Sequence, residues 1–400
     1  MFCDDDDLMY ALMGVFNSVV ACDLLNVMAP TLDFSAGAMA NMPVPADFIR
    51  DQKMELARLS RECCSIAKDD WNSLETSWGF SALPFVQLDG ATSVAGAFGA
   101  WDKVCVAKRH ALKAAEERLN QVLIDAYGLA SELEPEIREE QIILTRPDRH
   151  EDTKRHLSYA IGCMMGRYSL DKPGLIYAHA GNVGFDPNQY KTFPADDDGI
   201  IPLLETDWGI RDDAVNRIVE FISVAWPKEH LEENLKFIAD SLGPARNERP
   251  RDTIRRYLAT GFYKDHLRWY KRRPIYWLFS SGKERAFQCL VYLHRYHEGT
   301  LARMRTEYVI PLQGKIAARI EQLEGDKAKA TSTSHRRNLQ KEQDKLKRQQ
   351  AELLTFDEKL KHHADQRITL DLDDGVKVNY GKFGDLLSDV KAVCGTKEED

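Results

Sequence analysis

Between Arg255 and Trp277 the sequence sets Arg255, Arg256, Lys264, Arg268, Lys271, Arg272 and Arg273 among Tyr257, Tyr263, Trp269, Tyr270, Tyr276 and Trp277. Arginine and lysine neutralise nucleic-acid phosphates, and arginine also reads guanine edges in bidentate fashion. Aromatic rings stack on exposed bases. Lys283, Arg285, Arg303 and Arg305 extend the candidate cations toward the carboxyl side. Two plain alternatives stand beside this reading. Tyr276, Trp277 and Phe279 can pack a core, and the arginines can pair with internal acids. If Arg251–Tyr270 is one helix, Arg256, Lys264 and Lys271 share a face, while Arg255 points about 100° away from Arg256.

Other fragments offer less. Gly96-Ala97-Phe98-Gly99 has the look of a glycine-rich phosphate loop, but no strand precedes it and no third glycine is well spaced. Asp186-Pro187-Asn188-Gln189-Tyr190 is close to the acid-proline-aromatic tetrapeptide that holds a flipped base, with the tyrosine one place out of register. A turn explains it better. His294, His297 and Glu298 fix no third metal ligand by spacing. There is no GxSxG, P-loop or HExxH pattern. The eight cysteines, at 3, 22, 63, 64, 105, 163, 289 and 394, form no CxxC pair, which argues against a four-cysteine zinc site.

The elements that must position these groups belong to a globular chain. It has 400 residues, 44% of them hydrophobic and 29% charged, which is room for two or three domains. Fifty-four basic against 63 acidic residues give a formal charge of −9, unlike a uniformly basic nucleic-acid coat. The charge is uneven. Residues 246–305 hold 15 basic and 5 acidic side chains, so this segment carries +10 and the remainder −19. Scattered thiols in a long chain suit a reducing, cytoplasmic compartment. The apolar run Leu8–Ala29 follows Asp4 to Asp7 and is interrupted by Asn17, Ser18, Asp23 and Asn26. That flank and those breaks predict a buried amphipathic helix and not a membrane span or signal peptide.

Further along, Phe48–Ala67 and Ala107–Tyr127 read as long helices, with Trp71–Ala100 irregular between them. Gly243-Pro244 closes a helix over Glu229–Leu242. Pro274–Ser281 and Phe287–His294 read as the strands of a β-hairpin. Leu312, Ile316, Ile320 and Leu323 form one helical stripe, and Leu339, Leu346, Leu353 and Leu360 a second, spaced by seven. Together they predict an antiparallel helical hairpin near 300–364. Ile368–Tyr380 alternates around Asp374-Gly375 and reads as a terminal β-hairpin, ahead of a frayed tail at 396–400.

Long strings in this sequence resemble one family. They include Lys271-Arg272-Arg273-Pro274-Ile275-Tyr276-Trp277-Leu278-Phe279, then Tyr292-Leu293-His294-Arg295-Tyr296, and Thr300-Leu301-Ala302-Arg303-Met304-Arg305-Thr306. Residues 70–80, 119–133, 158–170, 231–242 and 371–386 add to them. These are similar to the carboxyl-terminal region of the PglX adenine-specific DNA methyltransferases of BREX bacteriophage-exclusion systems. Ala29-Pro30-Thr31-Leu32-Asp33-Phe34 to Asn41-Met42-Pro43-Val44-Pro45 resembles the closing segment of a target-recognition domain, with Ala29 and Asp33 where that motif has asparagines. The resemblance covers nearly the whole chain. It implies the last third of a longer enzyme, whose S-adenosylmethionine fold and Asn-Pro-Pro-Tyr motif lie upstream.

The expectation is therefore an α+β fold, predominantly helical and multi-part. The parts are the end of a recognition domain (1–45), a helical spacer (46–140), a mixed domain with the basic segment (141–299), a helical hairpin (300–365) and a terminal hairpin with tail (366–400). The expected function is a non-catalytic DNA-recognition and spacer portion of an N6-adenine methyltransferase in phage defence. It would hold double-stranded DNA and dock to the upstream catalytic portion, with no catalytic or metal site and no cofactor of its own. S-adenosylmethionine is implied for the full-length enzyme only. The alternative is a scaffold that docks other BREX proteins without touching DNA.

Overall fold

The computed structural model describes residues 4–29, 34–87 and 90–395. The Pro30–Asp33 part of the recognition-domain motif and the tail 396–400 lie outside the described residues. The fold is α+β and predominantly helical, with one small sheet. Two units organise it. One comprises 1–77 with 98–147, the other 78–97 with 148–400.

The first unit is helical. The apolar amino-terminal run forms two helices, Asp6–Phe16 and Val19–Met28, bent by 64°. Asp5 accepts from Leu8 N at 3.0 Å and caps the first, so the acidic run serves the helix start. Ser18 ends that helix and caps the second through Ala21 N at 3.2 Å. The single helix expected there is broken because Ser18 competes locally for backbone groups. Ala11, Val15, Val20, Ala21 and Leu25 then pack with Leu56, Leu59, Leu119 and Leu123 of the long helices Ala46–Trp71 and Val94–Tyr127. The second long helix starts thirteen residues before the predicted Ala107. No single helix among the described residues is long and apolar enough to cross a membrane.

The second unit is built round a three-stranded antiparallel sheet in the order β1-β3-β2, with β1 Ile200–Pro202, β2 Tyr276–Ser280 and β3 Gln288–Tyr292. The predicted hairpin is β2–β3, registered Tyr276 to Tyr292 and Phe279 to Cys289. The short third strand had no sequence signal. Helices Arg149–Met164, Ala214–Ala225, Leu231–Leu242, Pro250–Thr260 and Phe262–Trp269 belong to the same unit. The expected helix Arg251–Tyr270 is two helices, because the chain breaks at Gly261.

The helical hairpin forms as predicted. Its first arm runs through Thr300–Arg303, a π-helical Met304–Val309 and Ile310–Lys329; its second is Thr333–Asp365. Leu312, Ile316 and Leu323 are buried, as are Leu339, Leu346, Leu353 and Leu360. Glu352 on the second arm anchors the β2–β3 turn. Its carboxylate accepts from Ser281 Oγ and Glu284 N, both at 2.7 Å, and from Ala286 N at 3.2 Å.

The terminal β-hairpin at 368–380 is overturned. Leu372–Asp374 is a 3-10 turn and Gly375–Gly381 an α-helix. Asp371 accepts from Asp373 N at 3.0 Å and starts the turn, and Asn379 Nδ2 donates to Gly375 O at 3.0 Å. Helical spacing also turns Tyr380 to the sheet. Its ring lies 5.2 Å from that of Trp277, and Phe383 meets Phe279 at 5.6 Å. That burial outweighs an alternating pattern with no neighbouring strand to pair.

His156 sits fully buried among Phe85, Phe221 and Trp226, and neither ring nitrogen has a partner. Burial drives its pKa down to about 3. The unfolded chain takes a proton below about 6.5 that the fold refuses, so this stability is present above that pH and drains as pH falls toward 3. The slope is up to ~1.4 kcal/mol per pH unit. Urea unfolding between pH 7 and 4 should show it. His156→Phe should flatten that dependence and change stability at pH 7 by less than about 1.5 kcal/mol; an unaltered acid slope refutes the assignment.

Candidate nucleic-acid interface

The basic segment divides once its partners are known. Arg255 is 7% exposed. Its Nη1 donates to Asp213 Oδ2 at 2.8 Å and to Leu204 O at 3.1 Å. Asp213 also caps the Ala214–Ala225 helix through Val215 N, so the pair joins two helices and a loop. Burial pushes the Asp213 pKa up, and the Arg255 bond and charge pull against it. Arg255 is thus corrected from a candidate DNA contact to a core ion pair.

Arg256 forks onto Glu248 at 2.9 Å and reaches Gly243 O at 2.8 Å. Arg268 is shared between Glu151 at 2.7 Å and Asp265 at 2.9 Å. Arg285 meets Glu205, Arg303 meets Glu307, and Arg305 meets Asp357 across the helical hairpin. These arginines spend charge inside the fold. The expected common face of Arg256, Lys264 and Lys271 does not exist, because Gly261 breaks the helix and Lys271 lies past the end of the next one.

Lys264, Lys271, Arg272, Arg273 and Lys283 are exposed, and no described residue forms an ion pair with them. Lys283 sits in the β2–β3 turn, at the far end of β2 from Arg273. Five strand residues put these ends roughly 16 Å or more apart. Lys264 and Lys271–Arg273 lie on and just past the Phe262–Trp269 helix. Lys271 and Arg272 have φ of 49° and 61°. Left-handed backbone closes a helix by capping its last carbonyls, here with Arg272 N donating to Leu267 O at 2.7 Å. Glycine is the inexpensive residue for that conformation, and a side chain there costs on the order of 1 kcal/mol or more. The chain nevertheless carries two cations at these positions.

Of the two readings of the aromatics, core packing is the one the fold realises for Tyr276, Trp277 and Phe279, buried at 0%, 1% and 0% exposure, and Tyr257 and Tyr263 are buried too. They form the bed under the segment and are closed to bases. Trp269 and Tyr270 are half-buried.

Neither fragment with the look of a nucleotide or methyltransferase motif is built to hold S-adenosylmethionine. Gly96-Ala97-Phe98-Gly99 lies inside the Val94–Tyr127 helix, where its backbone amides serve the helix. Asp186 caps a 3-10 turn, accepting from Asn188 N at 3.0 Å, and the buried Tyr190 donates to Gly166 O. That segment is a structural turn. Among the described residues no group of three acids, histidines or cysteines is arranged for a metal.

One cluster escaped sequence reasoning. Tyr308, in the π-helical segment, contacts Asp198 Oδ2 at 3.0 Å and Asp212 Oδ2 at 2.5 Å. One hydroxyl proton cannot serve two carboxylates, and burial raises the pKa of both acids. The acids come from separate loops, so spacing carried no signal.

No family model matches the chain. Its similarity is to adenine-specific methyltransferases, a class with which it is homologous from end to end. It is 43% identical to the adenine-specific methyltransferase BrxX of Escherichia coli O9:H4 (strain HS), over an alignment of 427 residues covering 100% of the chain and 34% of that protein. It is 37% identical to the adenine-specific methyltransferase PglX of Lacticaseibacillus casei (strain Zhang), over 95% of the chain and 32% of that protein. The chain spans about a third of the length of these curated relatives.

Removing one member of a buried pair leaves the other charge uncompensated and costs about 3–5 kcal/mol. Arg255→Ala should therefore lower stability by that much in urea. Arg256→Ala, on an exposed pair, should cost less than about 1 kcal/mol. Equal losses would contradict the division into a buried pair and an exposed one.

Proposed function

We propose that this chain is a non-catalytic, DNA-recognising spacer portion of a BREX-type adenine-specific methyltransferase. Homology to a third of BrxX and PglX supports the family context. The local reading is carried by the turn at Lys271–Arg273, where two cations occupy left-handed positions that favour glycine. Strain of this kind is kept where the side chains have work to do. Lys264, Lys271, Arg272 and Arg273 contact phosphates of duplex DNA, and Arg268 is available at the price of its two acids. The methyl transfer from S-adenosylmethionine to adenine N6 belongs to a catalytic portion outside this chain, which this portion positions on DNA.

The test sets stability against binding. Lys271→Gly and Arg272→Gly should leave stability unchanged or raise it by up to about 1 kcal/mol, because glycine relieves the left-handed strain. Each should weaken binding of all duplex sequences alike and reduce the magnitude of the log–log salt slope by about 0.9. Fluorescence anisotropy across a salt series reads both. Salt-independent or absent duplex binding by the unaltered chain would move the reading to the scaffold, in which the exposed helical hairpin docks other BREX proteins.

A further inference from the structure

Arg167 follows the Arg149–Met164 helix, behind Gly166 at φ 74°. It is half-buried. Its Nε donates to Tyr168 Oη at 2.8 Å, and Nη1 lies 3.5 Å from Tyr292 Oη. Tyr292 Oη itself donates to Tyr177 O at 2.8 Å. Burial apart, the groups that act most on the Arg167 charge are the hydroxyls of Tyr168, Tyr270, Tyr276 and Tyr292; among the described residues no carboxylate forms an ion pair with it. Its Nη2 makes no hydrogen bond to a described residue.

Two other interior arginines show what compensation looks like. Arg255 has Asp213. Arg295 donates to Asp197 O at 2.8 Å and Asn182 Oδ1 at 3.1 Å, with Asp196 and Asp198 close by. Arg167 has only neutral neighbours. His266 and His294 near it are held uncharged, first by burial and then by the Arg167 charge. His266 Nε2 accepts from Ile275 N at 3.1 Å and Tyr276 N at 3.2 Å, so its proton sits on Nδ1, a buried donor with no acceptor. His294 Nδ1 is also buried without a partner. A partly desolvated cation with no counter-charge is expensive, and an anion that binds there recovers part of that cost. Of the neighbouring hydroxyls, that of Tyr270 belongs to the residue that opens the Lys271–Arg273 turn.

We propose that Arg167 is a phosphate-binding residue, whose open guanidinium edge takes a phosphate group beside Tyr270 and the Lys271–Arg273 turn. It rests on the DNA reading above, in which that group is a backbone phosphate of the duplex. Arginine suits the role because its planar fork matches two phosphate oxygens.

The experiment uses the full 400-residue chain with histidine-labelled rings, read by NMR during titration with inorganic phosphate, and separately with a short DNA duplex. Phosphate should shift the His266 and His294 signals saturably. Arg167→Gln should weaken phosphate binding roughly tenfold or more, and lower the magnitude of the duplex salt slope by about 0.9. Arg167→Lys, which keeps the charge and loses the fork, should bind phosphate with intermediate strength. It decides the matter if the glutamine variant does not fold by circular dichroism; phosphate affinity unchanged in the lysine variant then overturns the inference. No saturable shift in the unaltered chain, or the same shift in Arg167→Gln, overturns it as well. Duplex binding with an unchanged slope in folded Arg167→Gln sinks Arg167 as a DNA contact and leaves the turn standing. Phosphate binding without duplex binding supports the site and sinks the DNA reading.

Discussion

Strand β2 is covered on every side, and the larger unit is arranged to make that cover. A three-stranded sheet is too small to shelter its own faces. On one face Tyr276 stacks with His266 at 4.9 Å between ring centroids, which brings the Phe262–Trp269 helix down on the strand. On the other, Trp277 and Phe279 meet Tyr380 and Phe383 of the terminal segment. The free edge is closed by a bridge from Phe279 to Leu387 and by Ser388 N donating to Leu278 O at 2.9 Å. Glu352 holds the turn. Each buried aromatic contributes roughly 1.5–3 kcal/mol, so the three in this strand, Tyr276, Trp277 and Phe279, make a strong demand on their neighbours.

That demand also decides where charge can go. The residues just before β2 are cations, and a strand buried at its first residue leaves them outside. Lys271 to Arg273 form the tight exit from helix to strand, with left-handed backbone where the chain reverses. Behind them Tyr270 leads inward to Arg167. Elsewhere in the same segment Arg255, Arg256, Arg268, Arg285, Arg303 and Arg305 pair with acids, so a charge of +10 in sequence becomes a smaller surface field.

The acid side shows the same economy. Asp196 and Asp198 are buried, and burial raises the pKa of Asp198 and Asp212, so these acids are drawn inward and lose charge. Tyr308 holds two of them from the π-helical segment, where the wider turn brings its hydroxyl to both. Arg295 satisfies the carbonyls of the same loop. The loop before β1 is thus a buried polar junction between β1 and the first arm of the helical hairpin.

Local chemistry determined much of this protein from sequence alone. Caps and stops such as Gly243 placed helix ends, a heptad of leucines placed the second arm of the helical hairpin, and aromatic β-branched runs placed β2 and β3. Those signals act over a few residues, within reach of pattern reading. Long homologous strings likewise pointed to the methyltransferase family before any geometry was known. Tertiary structure alone decided the rest. Arg255 and Arg256 are adjacent, yet one is buried on Asp213, 42 residues away, and the other is exposed on Glu248. Residues 368–380 alternate like a strand, but the sheet offers them a covering role and no partner, so they wind into a helix that buries Tyr380. Whether a cation is free or spent depends on which acid the fold brings to it, and that distance is set by packing among elements far apart in the chain.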